Sequence, residues 1–229
     1  MWSHEVVEGL RAAFVPDPRR AEPMRAYMKD VAPFLGIPAP VRRRAQRRVF
    51  AEVGPPSEEE VVAAAQQLWD QPEREFSYAG GELLGRYVRL LSPERLDTDV
   101  RRLLLSRPWW DTVDLLGTAV ITPMVRDHPE LLAVMWRWNA TPDQWLIRAS
   151  IQHQRGLRLA TDVPLLLALC EPHIADSRFF VAKAIGWALR DTCRFDVDSV
   201  ELWVDNHPNL SAVARREARK GIARGESPH

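Results

Sequence analysis

The spacing of helix-start signals constrains the fold of this chain more than any other sequence feature. Helix starts are predicted near Ser57, Gln71, Ser92, Arg107, Asp127, Thr141, Thr161, Asp176 and Asp196, and every second start recurs after about 34 to 37 residues. The prolines repeat this period in two series, which are Pro72, Pro108 and Pro142, and Pro93, Pro129 and Pro164. Strand signals are almost absent. Because a lone helix pair cannot bury its apolar face, the pattern predicts an all-α chain of stacked helix pairs, a curved α-solenoid with a concave face.

Local signals predict individual helix ends. Ser57 with Glu60, and Thr141 with Gln144, each match a capping box, in which the two side chains bond each other's backbone N–H groups. Pro108 is predicted to open the next helix, because the missing N–H of a proline would be unpaired at that position in any case.

Length and composition bound the class of protein. A chain of 229 residues with 46% hydrophobic and 27% charged residues predicts one domain over residues 1–229, with a disordered tail from about residue 225. No run reaches the roughly 18 apolar residues of a membrane span. Residues 1–14 alternate charged and apolar side chains, unlike a secretory signal. We therefore expect a cytoplasmic protein with no membrane partner.

Most familiar chemistries leave no signature in the chain. Cys170 and Cys193 are too few for a disulfide framework or a thiolate metal site. The six histidines show no H-x-x-x-H or H-x-H spacing. The phosphate-binding glycine motifs and the G-x-S-x-G nucleophile motif are absent as well. We expect no metal and no cofactor.

The basic residues are almost all arginine. Of 31 basic residues, 28 are arginine, although the net charge is zero. The planar guanidinium suits bidentate phosphate contacts, but genomic base composition can produce the same bias. Because the two signs are segregated along the chain, a basic face is permitted. The cluster from Arg42 to Arg48 fits either a solvated face or a DNA-backbone contact, and nearby Tyr27 favours the second.

The segment from Trp109 to Asp114 places unusual residues on one helix. Trp110, Asp114 and Gly117 fall at i, i+4 and i+7, so an indole, a carboxylate and a residue without a side chain lie on one face of the helix. Val113, Leu116 and Val120 are predicted to form the opposite face, toward the core. A partly buried carboxylate among apolar neighbours is costly unless it is used. Asp111 is interpreted as a first-turn acid favoured by the helix dipole.

Two other helices, each predicted to be the second helix of its pair, carry similar clusters. Trp145 lies near Arg148 on one, and Trp187 lies near Arg190 on the other. In a solenoid the second helices form one layer, so the three clusters are predicted to line a common wall. A tryptophan in a helix is more often core than site, and Trp69, Trp136 and Trp138 are interpreted as core or rim.

An ordered set of segments resembles the AlkD-type alkylpurine DNA glycosylases, which are bacterial DNA alkylation-repair proteins built from HEAT-like repeats. The segments run from about residue 20 to Arg216. They are Tyr27-Met28-Lys29, Pro33-Phe34-Leu35-Gly36-Ile37, Pro40 with Arg42-Arg43, Pro72-Glu73-Arg74-Glu75-Phe76, Trp109 to Asp114, Trp145-Leu146-Ile147-Arg148, and Lys183 to Arg190.

The resemblance implies a single HEAT-like repeat domain, acting as a monomer, that removes cationic N3- and N7-alkylated purines from double-stranded DNA. By position, it implies that Asp114 is the catalytic carboxylate and that Trp110 and Trp187 contact the sugar of the lesion. The implied DNA contacts are Arg148, Tyr27, Arg43 and Arg190. Pro38 and Gly156 depart from the family pattern, with Arg155 and Arg158 as replacement contacts.

The chemistry fits these residue types. A cationic base is already a good leaving group, so the site must stabilise an oxocarbenium-like sugar and align a water, which a carboxylate can do as base or as electrostatic partner. The resemblance implies cleavage without base flipping. With no lysine among the proposed site residues, a monofunctional enzyme without a Schiff-base step is expected. The alternative is a non-catalytic solenoid that binds damaged DNA or a protein.

Overall fold

The computed structural model describes residues 2–225, and residues 226–229 of the predicted tail lie outside the described residues. Helices and short turns make up this part of the chain, with no strand. Contacts divide the chain into two compact units, unit 1 up to Val120 and unit 2 from Ile121. The predicted single domain stays a prediction. None of the helices between residues 2 and 225 has the length and apolar character needed to cross a membrane.

The helices of unit 1 are α1 (Trp2–Ala13), α2 (Pro18–Tyr27), α3 (Ala39–Glu52), α4 (Glu58–Trp69), α5 (Arg74–Arg86), α6 (Arg101–Leu105) and α7 (Trp110–Leu116). The helices of unit 2 are α8 (Thr122–Asp127), α9 (Leu132–Asn139), α10 (Gln144–Ile151), α11 (Val163–Cys170), α12 (Phe179–Thr192), α13 (Val197–Asn206) and α14 (Ala212–Gly225). Two single turns, Leu96–Val100 and Gly117–Ile121, are π-helical.

The packing within each unit follows the repeat. In unit 1, α4 packs on α5, and α5 packs on α7. In unit 2, α9 packs on α10, while α10 packs on α12 and α12 on α14. Within each unit, the second helix of one pair therefore lies against the second helix of the next, as a solenoid requires. The predicted all-α solenoid is confirmed, whereas its curvature and groove stay predictions.

The cores of the units contain the residues that the periodicity assigned to them. In unit 1, Val113, Leu116 and Val120 are at most 1% exposed. In unit 2, Cys193 belongs to a cluster of buried apolar residues, and burial raises the pKa of its thiol to about 11. His153 is also buried and contacts the carbonyl of Ser150. Both residues pack, as predicted.

Two predictions about individual helix ends are wrong, the capping box at Thr141 and the opening of a helix at Pro108. The capping box at Ser57 forms as expected. At the second predicted box, however, the carboxylate of Asp143 accepts the N–H groups of Trp145 and Leu146 at 2.8 and 3.0 Å, so Asp143 is the cap. The Thr141 hydroxyl instead donates back to the Trp138 carbonyl.

Pro108 does not open its helix, because α7 begins two residues later at Trp110. The chain enters through Arg107 in a left-handed conformation, with φ of 51°, which a residue with a Cβ rarely adopts. Contacts across the turn hold it there. The Arg107 carbonyl accepts a hydrogen bond from the Arg74 guanidinium at 3.0 Å. The Arg107 guanidinium donates to the carbonyls of Trp69 and Gln71.

Candidate nucleic-acid interface

Helix α7 brings together two of the predicted site residues with a third from α2. The Trp110 ring meets the Tyr27 ring edge to face, with centroids 6.3 Å apart and planes at 82°. Tyr27 is 71% exposed. Asp114 lies one helical turn after Trp110 and is half-buried. Trp110 and Tyr27 therefore form an aromatic cluster in unit 1, and Asp114 lies on the next turn of α7.

A buried ion pair fixes the start of α7. The Arg74 guanidinium, 1% exposed, donates to both carboxylate oxygens of Asp111 at 2.7 and 2.9 Å. It also donates to the Thr112 hydroxyl at 2.9 Å. Asp111 is therefore more than a first-turn acid near the helix dipole. Its bidentate pairing with Arg74 positions the turn that carries Trp110 and Asp114.

The neighbouring Tyr78 extends this network toward α3. Its hydroxyl donates to Asp111 at 2.6 Å, and burial, together with the charge of Asp111, raises the pKa of Tyr78 far above its usual value. The Arg42 guanidinium lies 5.0 Å from the Tyr78 ring centroid. Tyr78 thus stays protonated and links the base of α7 to the first arginine of α3.

The basic cluster from Arg42 to Arg48 is not uniform. Arg42 is 4% exposed and donates twice to Glu82, at 2.8 and 3.1 Å. Burial alone would raise the pKa of Glu82, but the charge of Arg42 overcomes it and lowers the pKa. Arg42 is therefore structural. Arg43, which donates to Glu82 at 2.9 Å, is exposed, as are Arg44, Arg47 and Arg48.

The loop before α3 is held by a second buried carboxylate. Glu75, with no exposed surface, accepts the N–H groups of Leu35, Gly36 and Ile37 at 2.8 to 3.1 Å. Gly36 has a φ of 85°, and a Cβ there would lie 2.2 Å from the Asp17 carbonyl oxygen. Only glycine fits this turn, which fixes the direction in which α3 and Arg43 leave the loop.

Gly117 borders open space at the end of α7. Its φ and ψ of −51° and −57° are helical, and a Cβ added to it would meet nothing within 4 Å. The following residues form a π turn, a feature that often occurs at functional sites. The predicted gap beside Asp114 therefore exists.

In unit 2, four basic side chains surround the predicted site residue Trp187. The Arg148, Arg155 and Arg190 guanidinium carbons lie 5.3, 5.8 and 5.8 Å from its ring centroid. The Lys183 ammonium lies 5.9 Å away. These distances are within the range of cation–π attraction. The structure thus gathers all the unit 2 residues of the predicted site around one indole.

The members of this cluster differ in how far they are buried. Arg148 is 1% exposed and donates to the Phe180 carbonyl at 3.0 Å, whereas Arg155 is exposed and Arg190 is half-buried. The phosphate contact expected of Arg148 stays a prediction. Trp145 is 6% exposed and stacks on Phe180 with centroids 4.8 Å apart. It belongs to the core, so its predicted place on the wall is wrong.

Glu217 on α14 anchors two of the cations. Its carboxylate, 3% exposed as a residue, accepts bonds from Lys183 at 2.9 Å and from Arg190 at 2.6 Å. The close approach of α14 requires Gly186, where a Cβ would lie 2.7 Å from the Cβ of Glu217. The hydrogen bond from Lys183, opposed by burial and aided by Lys220, lowers the pKa of Glu217 to about 2.

The stability contributed by Glu217 is expected to depend on acid pH. Because its pKa falls from 4.5 to about 2 on folding, the contribution is complete above pH 4.5 and is lost as the pH falls toward 2. Glu217→Gln should therefore lower the urea midpoint at pH 7 and converge with wild type near pH 2. The exposed Glu22→Gln is the matched control, and a constant difference at every pH would contradict the assignment.

Comparison with known proteins decides the family. The family model described as DNA alkylation repair enzyme matches residues 10–222. The chain belongs to this family. A solved structure named as a predicted DNA alkylation repair enzyme from Enterococcus faecalis is similar, with a TM-score of 0.83 and 27% sequence identity over 91% of this chain and 97% of that chain. No curated protein matches the sequence.

Membership of the DNA alkylation repair family supports a role of this chain in DNA repair and implies DNA as its substrate. Sequence reasoning missed four residues that surround α7 and Trp187, which are Arg74, Tyr78, Lys183 and Glu217. A signal for two contacts was present. Arg74 precedes Asp111 by 37 residues, and Lys183 precedes Glu217 by 34 residues, each close to one repeat.

Proposed function

We propose that this family member is a DNA glycosylase that hydrolyses the N-glycosidic bond of cationic N3- and N7-alkylated purines in duplex DNA and leaves an abasic site. One observation carries the proposal. Asp114 is half-buried one turn after Trp110, on a helix fixed by the Arg74–Asp111 pair and beside the open space at Gly117. A half-buried carboxylate on an anchored helix, one turn from an aromatic ring, is suited to a cationic transition state.

The reaction needs little from the protein beyond this carboxylate. As the C1′–N bond breaks, its electron pair passes to the alkylated base, which leaves neutral, and positive charge develops on the sugar. Asp114 stabilises that charge and accepts a hydrogen bond from the water whose oxygen adds to C1′ and whose proton is then released. The Trp110 face adds cation–π attraction of about 0.5–2 kcal/mol.

The Trp187 cluster is assigned to holding DNA. Arg155 and Arg190 provide guanidinium groups for phosphate oxygens beside the indole, which is the proposed sugar contact. In unit 1, exposed Arg43 and Tyr27 provide further contacts to the backbone. We propose that the N-glycosidic bond of the lesion is cleaved while its base stays stacked in the duplex, so that selectivity comes from the charge of the lesion.

No lysine is among the proposed site residues, but Lys183 lies close to one of them, with its ammonium 5.9 Å from the Trp187 ring centroid. However, its ammonium is paired with the Glu217 carboxylate at 2.9 Å. A Schiff base requires the lone pair of a neutral amine. We therefore still propose a monofunctional enzyme, and borohydride should trap no covalent complex with abasic DNA.

The direct test is the release of 7-methylguanine from a methylated duplex under single-turnover conditions. Time-dependent release, with an abasic product that persists until alkali is added, would support the proposal. If the protein binds the duplex with steep salt dependence but releases no base, the proposal fails and a non-catalytic DNA-binding solenoid is supported.

Gly117 provides a test of the open space. Gly117→Ala fits helical dihedral angles without a clash, so it should raise the free energy of unfolding by about 0.5–1 kcal/mol. Gly117→Phe should leave the fold intact but fill the space and reduce base release at least tenfold. Urea unfolding and single-turnover assays on both variants check this. Full activity of the folded Phe variant would show that DNA does not use the space.

A further inference from the structure

Unit 2 contains a cavity of which the proposed function uses only two lining residues, Trp187 and Arg155. Its volume is about 600 Å³, within the roughly 300–1,000 Å³ usual for small-molecule sites. The Trp187 indole and the Phe195 ring line it, together with the aliphatic side chains of Leu159 and Leu166. The largest part of this wall is therefore apolar and partly aromatic, which suits a flat ring.

A buried amide without a partner contributes to the same wall. Gln152 is 6% exposed, and its Nε2 has no hydrogen-bond partner within residues 2–225. A buried N–H group without an acceptor is unfavourable and rare in native proteins. The neighbouring Gln154, by contrast, is satisfied by the backbone of Asp162. A ligand that brings an acceptor to Gln152 would remove this penalty.

The charged side chains at the cavity favour an anion. Arg155, Arg158 and Arg194 line it, and all three are exposed. Asp191 is the one acid in the lining. Within the described part of the chain, Arg158 and Arg194 make no ion pair, unlike Arg42 or Arg74 in unit 1. Exposed guanidinium groups that make no ion pair are available for bidentate contacts with phosphate.

We propose that this cavity binds a single nucleotide, with its base against the aromatic and aliphatic wall and its phosphate on Arg158 and Arg194. A base offers both a π face for Trp187 or Phe195 and edge acceptors for the Gln152 amide. The nucleotide is either free in solution or an unpaired nucleotide of a DNA strand. Either source presents the same chemistry. The site shares Trp187 and Arg155 with the proposed DNA contacts, but it does not need Asp114 or bond cleavage.

Fluorescence anisotropy of 2-aminopurine measures the binding of a nucleotide from either source. In one arm the probe is free 2-aminopurine deoxynucleoside 5′-monophosphate, and in the other it is a duplex with 2-aminopurine as a one-nucleotide bulge, compared with the same duplex fully paired. Arg158→Gln with Arg194→Gln should weaken nucleotide binding about tenfold or more. Ala188→Phe, which fills the cavity from α12, should abolish it.

Arg89→Gln is the matched control, because Arg89 is exposed and does not line the cavity. If wild type binds the free nucleotide and the cavity variants do not, the ligand is a free nucleotide. If wild type prefers the bulged duplex and the cavity variants do not, the nucleotide comes from a DNA strand. If neither probe binds wild type more tightly than the arginine double variant, the proposal is overturned. Because the probes carry no alkylated base, a failure of base release leaves this result unaffected.

Discussion

Replacing Asp114 by asparagine is expected to reduce the single-turnover rate of 7-methylguanine release by about 10²-fold or more. Asparagine keeps the size of the side chain but removes the negative charge that opposes the developing sugar cation. Because Asp114 is half-buried on α7, that charge acts where water screens it poorly. Binding of undamaged duplex should change little, since a carboxylate contributes nothing to phosphate contacts.

The exposed Asp198→Asn on α13 is the matched control for this change. It removes one negative charge and should release base at the wild-type rate. If Asp114→Asn also retained that rate while Trp110→Ala did not, the aromatic cluster would be the catalytic element and the carboxylate assignment would be wrong.

The repeat pattern of the sequence predicts the fold because it reflects stacking itself. A helix pair exposes an apolar face unless a neighbour covers it, so prolines and caps must recur with the stacking period. Individual ends are less predictable, since several polar residues compete for the same N–H groups. At α10, Asp143 lies closer to the first N–H groups than Thr141 does, and its carboxylate takes two of them.

The candidate clusters were predictable where a residue's position on its helix determines its surroundings. Trp110 with Asp114 is such a case. Burial was not predictable for Arg148 and Trp145, because it depends on how α12 covers α10 through Phe180. The same reasoning missed Glu217, since nothing local to α14 indicates that two cations of α12 will reach it.

Repeat spacing would have supplied part of the missing information. In a solenoid, residues one repeat apart lie at equivalent positions on adjacent helices, so opposite charges at that separation are neighbours. Arg74 with Asp111 and Lys183 with Glu217 obey this rule. Glu58, which accepts a hydrogen bond from the Arg95 guanidinium at 3.0 Å over 37 residues, does as well. Charge pairs at the repeat period therefore deserve the same weight as i, i+4 pairs within a helix.

The largest effect on stability is expected from Arg74→Met. The change leaves the Asp111 carboxylate, 8% exposed, with Tyr78 as its remaining side-chain donor, and an orphaned buried charge costs about 3–5 kcal/mol. It also removes the bonds that hold the Arg107 carbonyl and the Thr112 hydroxyl. Urea unfolding followed by circular dichroism measures the loss, and base release should fall with it because α7 loses its anchor.

Three further variants show whether the pair itself is responsible, which are Arg102→Met, Asp111→Leu and the double variant of Arg74 and Asp111. Arg102→Met makes the same substitution at an arginine of unit 1 that is 60% exposed and bonded to Asp99, and it should cost no more than about 1 kcal/mol. The double variant Arg74→Met with Asp111→Leu removes both charges, so it should be more stable than Arg74→Met alone. If the double variant were instead less stable by the sum of the two single losses, the two side chains would act independently, and the pair could not be what positions Trp110 and Asp114.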